Sequence, residues 1–119
     1  MVTLASFRYA WRGLRKVFST ERNAKIHLLS ALIALLASLI LHIAITQLLF
    51  VLLAITLVFF AEITNTALEK TLDALSKENN QVVRLVKDMT AGGVLVTALS
   101  AVLVAILVFG PYIYRLFVR

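Results

Sequence analysis

Apolar and polar positions fall into blocks along this chain. From Leu4 to Phe18 apolar residues recur every three or four positions: Leu4, Phe7, Trp11, Leu14 and Phe18. Arg8, Arg12, Arg15 and Lys16 lie largely on the other faces. That period predicts a short amphipathic helix suited to lying in a membrane interface. Tyr9 and Trp11 fit the interfacial aromatic belt. Ser19 and Thr20 offer an N-cap to the next helix, with Glu21 in its first turn. Residues 26–45 then run for twenty positions without a formal charge, His27 and His42 aside. That is long enough to cross a core about 30 Å thick. A short turn at 43–47 carries no basic residue. A second apolar run, Leu48 to Ala61, is expected to continue as helix beyond the membrane. Ser76 to Gln81 is the one clearly hydrophilic loop, and Asn79-Asn80 reads as its turn. Residues 82–90 look like the first turns of a further helix. The uncharged stretch 91–109 makes a third span, which Gly110-Pro111 is expected to end or kink. Tyr112, Tyr114, Arg115 and Arg119 form an interfacial anchor.

Composition agrees with a membrane class. The chain of 119 residues is 61% hydrophobic and 15% charged, with a mean hydropathy of +0.96. A soluble domain of this size would expose large apolar patches with such a make-up. Cysteine is absent, so disulfides and thiolate metal sites are excluded. No cleavable signal peptide is evident. A net charge of +6 would suit nucleic acid in a polar chain. In one this apolar it points to the anionic face of a membrane, and no nucleic-acid partner is expected.

Charge also orients the spans. Residues 1–25 hold six Lys or Arg, the turn at 43–47 none, residues 62–90 four and the carboxyl end two. The positive-inside rule then puts the amino terminus and residues 62–90 in the cytoplasm. The expected organisation is one all-α domain, 1–119: an interfacial helix at 4–18, spans at 26–45, 48–61 and 91–109, and a cytoplasmic helix extension and loop at 62–90. Five of the six acidic residues fall in that cytoplasmic segment, and the sixth, Glu21, precedes the first span on the same side.

The candidate chemistry lies in Phe60-Ala-Glu-Ile-Thr-Asn-Thr-Ala-Leu-Glu-Lys-Thr-Leu-Asp73. On a helix, Glu62, Asn65, Glu69 and Asp73 fall near about 0°, −60°, −20° and +20°, one polar stripe roughly 16 Å long. A carboxylate ending an apolar segment is costly without a partner. The stripe reads as a cation or acid/base site, or more plainly as the solvated face of a helix leaving the membrane. No Lys or Arg shares its centre. Glu21 and Asn23 precede span one, and Lys87-Asp88 precede span three, so three helix segments meet at one depth. Taken singly each has a plainer role. Glu21 complements a helix dipole, Lys87-Asp88 is a solvated pair, His27 and His42 are interfacial polar residues, Trp11 is an anchor, and Gly92-Gly93 allows close packing. Taken jointly, oxygen ligands of this kind suit Mg²⁺, which takes one or two carboxylates with phosphate oxygens and water. There is no GxxxxGK[ST] loop, no nucleophile elbow and no HExxH.

Glu62-Ile-Thr-Asn-Thr-Ala-Leu-Glu69, then Asp73, then Val86-Lys-Asp-Met89 resembles the signature of the small bacterial membrane lipid kinases, the prokaryotic diacylglycerol kinase and undecaprenol kinase family. Trp11-Arg-Gly-Leu-Arg15 and Glu21-Arg-Asn-Ala-Lys-Ile-His27 extend the likeness over nearly the whole chain, from about Phe7 through span three. The Glu-Arg-Asn-x-Lys-Ile-His form is nearer to the undecaprenol kinase branch. The resemblance implies a homotrimeric helix bundle in the bacterial inner membrane, with active sites shared between neighbouring subunits at the cytoplasmic interface. It implies transfer of the ATP γ-phosphate to the hydroxyl of a membrane lipid alcohol, undecaprenol or diacylglycerol. Glu62 then matches the general base. Glu21 and Glu69 match Mg²⁺ ligands that hold ATP. Asn65, Asp73, Lys87 and Asp88 match nucleotide or phosphate contacts, and Tyr9 falls where the family packs an aromatic near the adenine. His27 and Lys25 depart from the enterobacterial form at the lipid head group.

The physical demands of that reaction agree with the spacing. Phosphoryl transfer asks mainly for positioning and charge neutralisation. Glu62 is the carboxylate nearest the apolar run, where a lipid hydroxyl arrives. Glu69 lies two turns further out, roughly 10 Å along the axis, towards ATP. A small oligomeric transporter or proton-conducting subunit is the alternative from another class. It calls for ionisable residues near the bilayer midplane; spans one and three have none there, and Glu62 stands at an end.

Overall fold

The computed structural model describes residues 3–76 and 80–119, all of whose regular elements are helices: α1 (Leu4–Thr20), α2 (Arg22–Ile40), α3 (Ile45–Leu75) and α4 (Gln81–Phe117). Residues Lys77 to Asn79, within the hydrophilic loop read from the sequence, lie outside the described residues. The three longer helices are each long and apolar enough to cross a membrane. The molecule is elongated, 60 × 39 × 23 Å.

α1 starts on a reciprocal cap. The Thr3 hydroxyl accepts from the Ser6 amide at 3.3 Å, and Ser6 returns the bond to the Thr3 amide. This satisfies two donors that a helix start otherwise leaves open. Its amphipathic pattern sorts as the sequence predicts, with one addition. Leu4, Phe7 and Trp11 stay exposed, whereas Val17 is buried and Phe18 meets Phe59 of α3 edge-on at 5.3 Å. Only the last turn of α1 therefore docks on the bundle; the remaining apolar stripe is left for lipid.

The junction to α2 departs from the expected cap. Ser19 and Thr20 turn their hydroxyls back onto the Lys16 carbonyl, at 3.1 and 2.7 Å. Glu21 itself takes the N-cap position, in extended backbone and without a side-chain cap bond. Back-bonding of this kind competes with capping for the same hydroxyl.

α2 stops at Ile40, five residues before the end of the uncharged run 26–45. The stop is a six-to-one turn. Ile43 donates to Ser38 O and His42 to Leu39 O, both at 3.3 Å, with His42 in the left-handed region at φ 51°. Glycine ordinarily marks this position. Histidine is among the few other residues enriched there.

α3 is one unbroken helix of 31 residues, roughly 46 Å long. The apolar run and the polar stripe therefore share one rigid rod, as the sequence predicts. At its start the Gln47 side chain accepts from the Ala44 amide at 3.0 Å and from the Tyr112 hydroxyl at 2.7 Å. α4 begins at Asn80, whose side chain accepts from Val82 N at 2.8 Å. It does not end at Gly110-Pro111 but runs through Pro111 to Phe117. Proline withdraws one donor from the ladder, and the bonds on either side carry the helix past it; membrane helices commonly tolerate this.

α3 and α4 make the most extensive contact, and α2 packs on α3. A small core of Val51, Val108 and Phe109 closes the end of the bundle near the 41–44 turn, with Ala37, Leu41 and Ile43 against it. Most other large apolar side chains remain exposed, as lipid-facing helices require. Between α2, α3 and α4 runs an apolar cleft of about 320 Å³. Alanines recur in its walls, including Ala31, Ala54, Ala98 and Ala101, and His27 and Ser30 are its polar lining.

Candidate functional site

The inward face of α3 carries Val51, Val58, Glu62 and Thr66 at spacings of seven, four and four. The same helical face that packs apolar groups in the span thus continues into a carboxylate. Glu62 is 4% exposed, and its Oε2 accepts no hydrogen bond. Nε2 of His27, on α2, stands 3.8 Å from that oxygen. Burying an ionised carboxylate with an open lone pair is costly. Such groups gather at sites where charge is used. Two further carboxylates, Glu21 and Glu69, add like charge at Glu62, while His27 opposes it.

The stripe divides between two neighbours. Towards α4, the Asn65 Oδ1 lies 2.7 Å from the Thr90 hydroxyl, and the Asn65 amide donates to Glu69 Oε1 at 3.4 Å. One turn out, Lys87 Nζ bonds Asp73 Oδ1. Towards the α1–α2 corner, Lys70 Nζ lies 3.6 Å from Glu21 Oε1. The sequence shows no cation at the centre of the stripe. The fold supplies two at its edges: Lys87 from the neighbouring helix, and Lys70 from α3 itself, reaching across to α2. Glu62 and Glu69 keep no lysine or arginine partner among the described residues.

Of the residues singled out in the sequence, Glu21, Glu62, Asn65, Glu69, Asp73 and Lys87 converge on one end of the bundle. Asp88 is exposed and bonds to none of the others. Tyr9 is exposed on α1, flanked by the guanidinium groups of Arg8 and Arg12 at 5.9 and 5.3 Å from its ring centroid. Those cations favour the ring face and give that part of α1 a strongly basic surface.

Thr90 and Lys70 were not visible as site residues, and His27 was read as an interfacial polar residue and a departure at the lipid head group, not as a neighbour of Glu62. Each acquires its place from a contact between helices, which periodicity within one helix does not encode. His27 had its place in the Glu21–His27 motif as a signal, and Thr90 had one too, three residues beyond Lys87 and so on the same face of α4.

The donor set suits a hard divalent cation. Among the described residues no three His, Asp or Glu side chains cluster as a ready-made metal cage. Mg²⁺ does not need one, since it takes one or two carboxylates and completes its shell with phosphate and water. Glu21 and Glu69 both act on the buried Glu62, and a cation near them would relieve that crowding of like charge.

Known proteins resemble this chain over almost its full length. The family model of prokaryotic diacylglycerol kinase matches residues 8–109. A diacylglycerol kinase of Synechocystis sp. is 36% identical over 102 residues, 85% of this chain and 58% of that protein. An undecaprenol kinase of Bacillus subtilis is 31% identical over 106 residues, 89% of this chain and 86% of that protein. The chain thus spans less than two thirds of the first relative and most of the second. With this match, and with three helices able to span a membrane meeting at a carboxylate-rich end, the chain belongs to the prokaryotic diacylglycerol kinase family.

Proposed function

We propose that this protein phosphorylates a membrane lipid alcohol by direct transfer of the ATP γ-phosphoryl group, at the cytoplasmic face of a bacterial inner membrane. Two relatives carry the names of kinases for different lipids, so the acceptor is diacylglycerol or undecaprenol. The observation that carries the reading is Glu62. It is a buried carboxylate with an unbonded oxygen, one turn beyond Val58 and Phe59, which line the apolar cleft. A lipid chain lying in that cleft brings its hydroxyl to the level of Glu62 and His27.

In this reading Glu62 accepts the hydroxyl proton as the lipid oxygen meets the γ-phosphorus. Glu21 and Glu69 would hold Mg²⁺, which supplies charge neutralisation on the phosphates when bound. Lys87, tethered by Asp73, presents a cation to the phosphates. Asn65, steadied by Thr90, offers its amide to the same place. Tyr9 and Asp88 are assigned outer nucleotide contacts on family resemblance alone. Assembly as a homotrimer, with sites shared between subunits, has the same basis. A protein of this kind needs little covalent chemistry of its own; fixed geometry and electrostatics lower the barrier.

The test is turnover in detergent with ATP, Mg²⁺ and either lipid alcohol, comparing kcat/KM for the two acceptors, since that ratio defines specificity. Glu62→Gln should abolish turnover with both. Undiminished turnover in that variant removes Glu62 as the base, and absence of turnover in the unaltered protein with both lipids removes the kinase reading.

A further inference from the structure

Among the described residues His27 is the one charged or titratable side chain in the wall of the apolar cleft, and its Nε2 stands 3.8 Å from the unbonded oxygen of Glu62. Glu62 is almost sealed: its side chain is 5% exposed, against 20% for His27. Glu62 Oε2 is out of contact with solvent, so a proton received on that oxygen has no direct route to water. The ionisable groups that bear on Glu62 among the described residues are His27, Glu21 and Glu69. Glu21 is engaged by Lys70 and Glu69 by Asn65. Both are also the oxygens best placed for a cation, and a carboxylate that holds a metal does not take up a proton. His27 is left, on a different helix, within 3.8 Å of Glu62 and itself more exposed to solvent than Glu62.

We infer that His27 is the proton exit of this site, a relay that acts through Glu62. The inference rests on Glu62 being the base. When the lipid oxygen bonds to the γ-phosphorus, the bond from that phosphorus to the bridging oxygen breaks and its electron pair stays on ADP. The hydroxyl proton passes to Glu62 Oε2, then to Nε2 of a neutral His27. The imidazolium releases its Nδ1 proton to water; Glu62 is again a carboxylate, and His27, left as the Nε2–H tautomer, regains its Nδ1–H form by proton exchange with water before the next turnover. Neutral His27 must carry its proton on Nδ1, leaving the Nε2 lone pair for Glu62. The 3.8 Å gap is one that closes on substrate binding, as hydrogen bonds in unliganded sites commonly do. His27 touches no reacting atom in this scheme, so it is a positioning and relay residue.

The experiment uses the full chain in detergent with ATP, Mg²⁺ and the lipid alcohol that it phosphorylates. His27→Ala should lower kcat by roughly one to two orders of magnitude, less than loss of the base itself, with the KM for ATP unchanged. Free imidazole should restore much of that loss by occupying the vacated space. His27→Gln, which fills the space without a basic nitrogen, should show the same loss and no restoration. Wild-type kcat in His27→Gln, or no response of His27→Ala to imidazole, overturns the relay. If Glu62→Gln is inactive while His27→Gln is normal, the relay alone falls. If Glu62→Gln is active, the base assignment falls and takes the relay with it.

Discussion

Thr90 of α4 holds Asn65 of α3 by its oxygen: Oγ1 stands 2.7 Å from Oδ1, which leaves the Asn65 amide pointing at Glu69. An amide has two faces of opposite polarity, and this contact selects one. Thr90→Val should free it to turn. The KM for ATP should rise roughly three- to tenfold, the worth of one hydrogen bond, with a smaller change in kcat. Thr90→Ser should restore it. Steady-state kinetics at saturating lipid checks this; an unchanged KM in Thr90→Val takes Thr90 out of the site.

The proposed cation site gives a second prediction. Glu21→Gln and Glu69→Gln each keep shape and remove a charge. Each should raise the Mg²⁺ concentration for half-maximal turnover by roughly tenfold or more, in line with loss of one charge-assisted contact, and leave the lipid KM in place. A titration of Mg²⁺ at fixed ATP reads this directly. A variant with the wild-type Mg²⁺ dependence is not a ligand.

The cleft is testable by filling it. Ala101 is half-buried in its wall. Ala101→Phe should raise the KM for the lipid alcohol and leave the KM for ATP alone, because in the proposed reaction the two substrates approach from different sides of Glu62. A matching rise in both would mean that the substitution distorts the bundle, as over-packing does.

The turn after α2 gives a prediction about stability. His42 sits at φ 51°, where a side chain costs roughly 1–2 kcal/mol relative to glycine. His42→Gly should raise the thermal midpoint in detergent by a few degrees, on the usual scale for a change of about 1 kcal/mol. His42→Val should lower it. A drop in His42→Gly would show that the imidazole holds the turn by some contact of its own.

Much of this molecule was legible because lipid makes a strict demand. A helix that faces hydrocarbon must be apolar all round, so the apolar runs announce α2, α3 and α4. Glu62, Asn65, Glu69 and Asp73 were legible as a stripe since one helix sets their spacing. The ends were harder. The stop of α2 carries histidine where glycine is the usual signal. Pro111 reads as a terminator in isolation, yet the helix passes it. The Ser19-Thr20 cap yielded to back-bonding on Lys16. The partners of the stripe were least legible. Whether Lys70 meets Glu21, Lys87 meets Asp73 or His27 faces Glu62 depends on how neighbouring helices are rotated, which no single helix records.

Gln47 and Tyr112 clasp α3 to α4 at one end, and Asp73 and Lys87 clasp them at the other. Two fastenings so far apart turn the pair into a single stiff plank. α2 is fastened more loosely: among the described residues its side chains make no hydrogen bond to that pair, and its polar contacts are the 3.6 and 3.8 Å approaches at Glu21 and His27. It hangs from the 41–44 turn and meets the plank near its far end through His27 and Glu21. In the proposed reaction α2 is therefore the leaf expected to turn aside when something as bulky as a lipid enters or leaves the cleft.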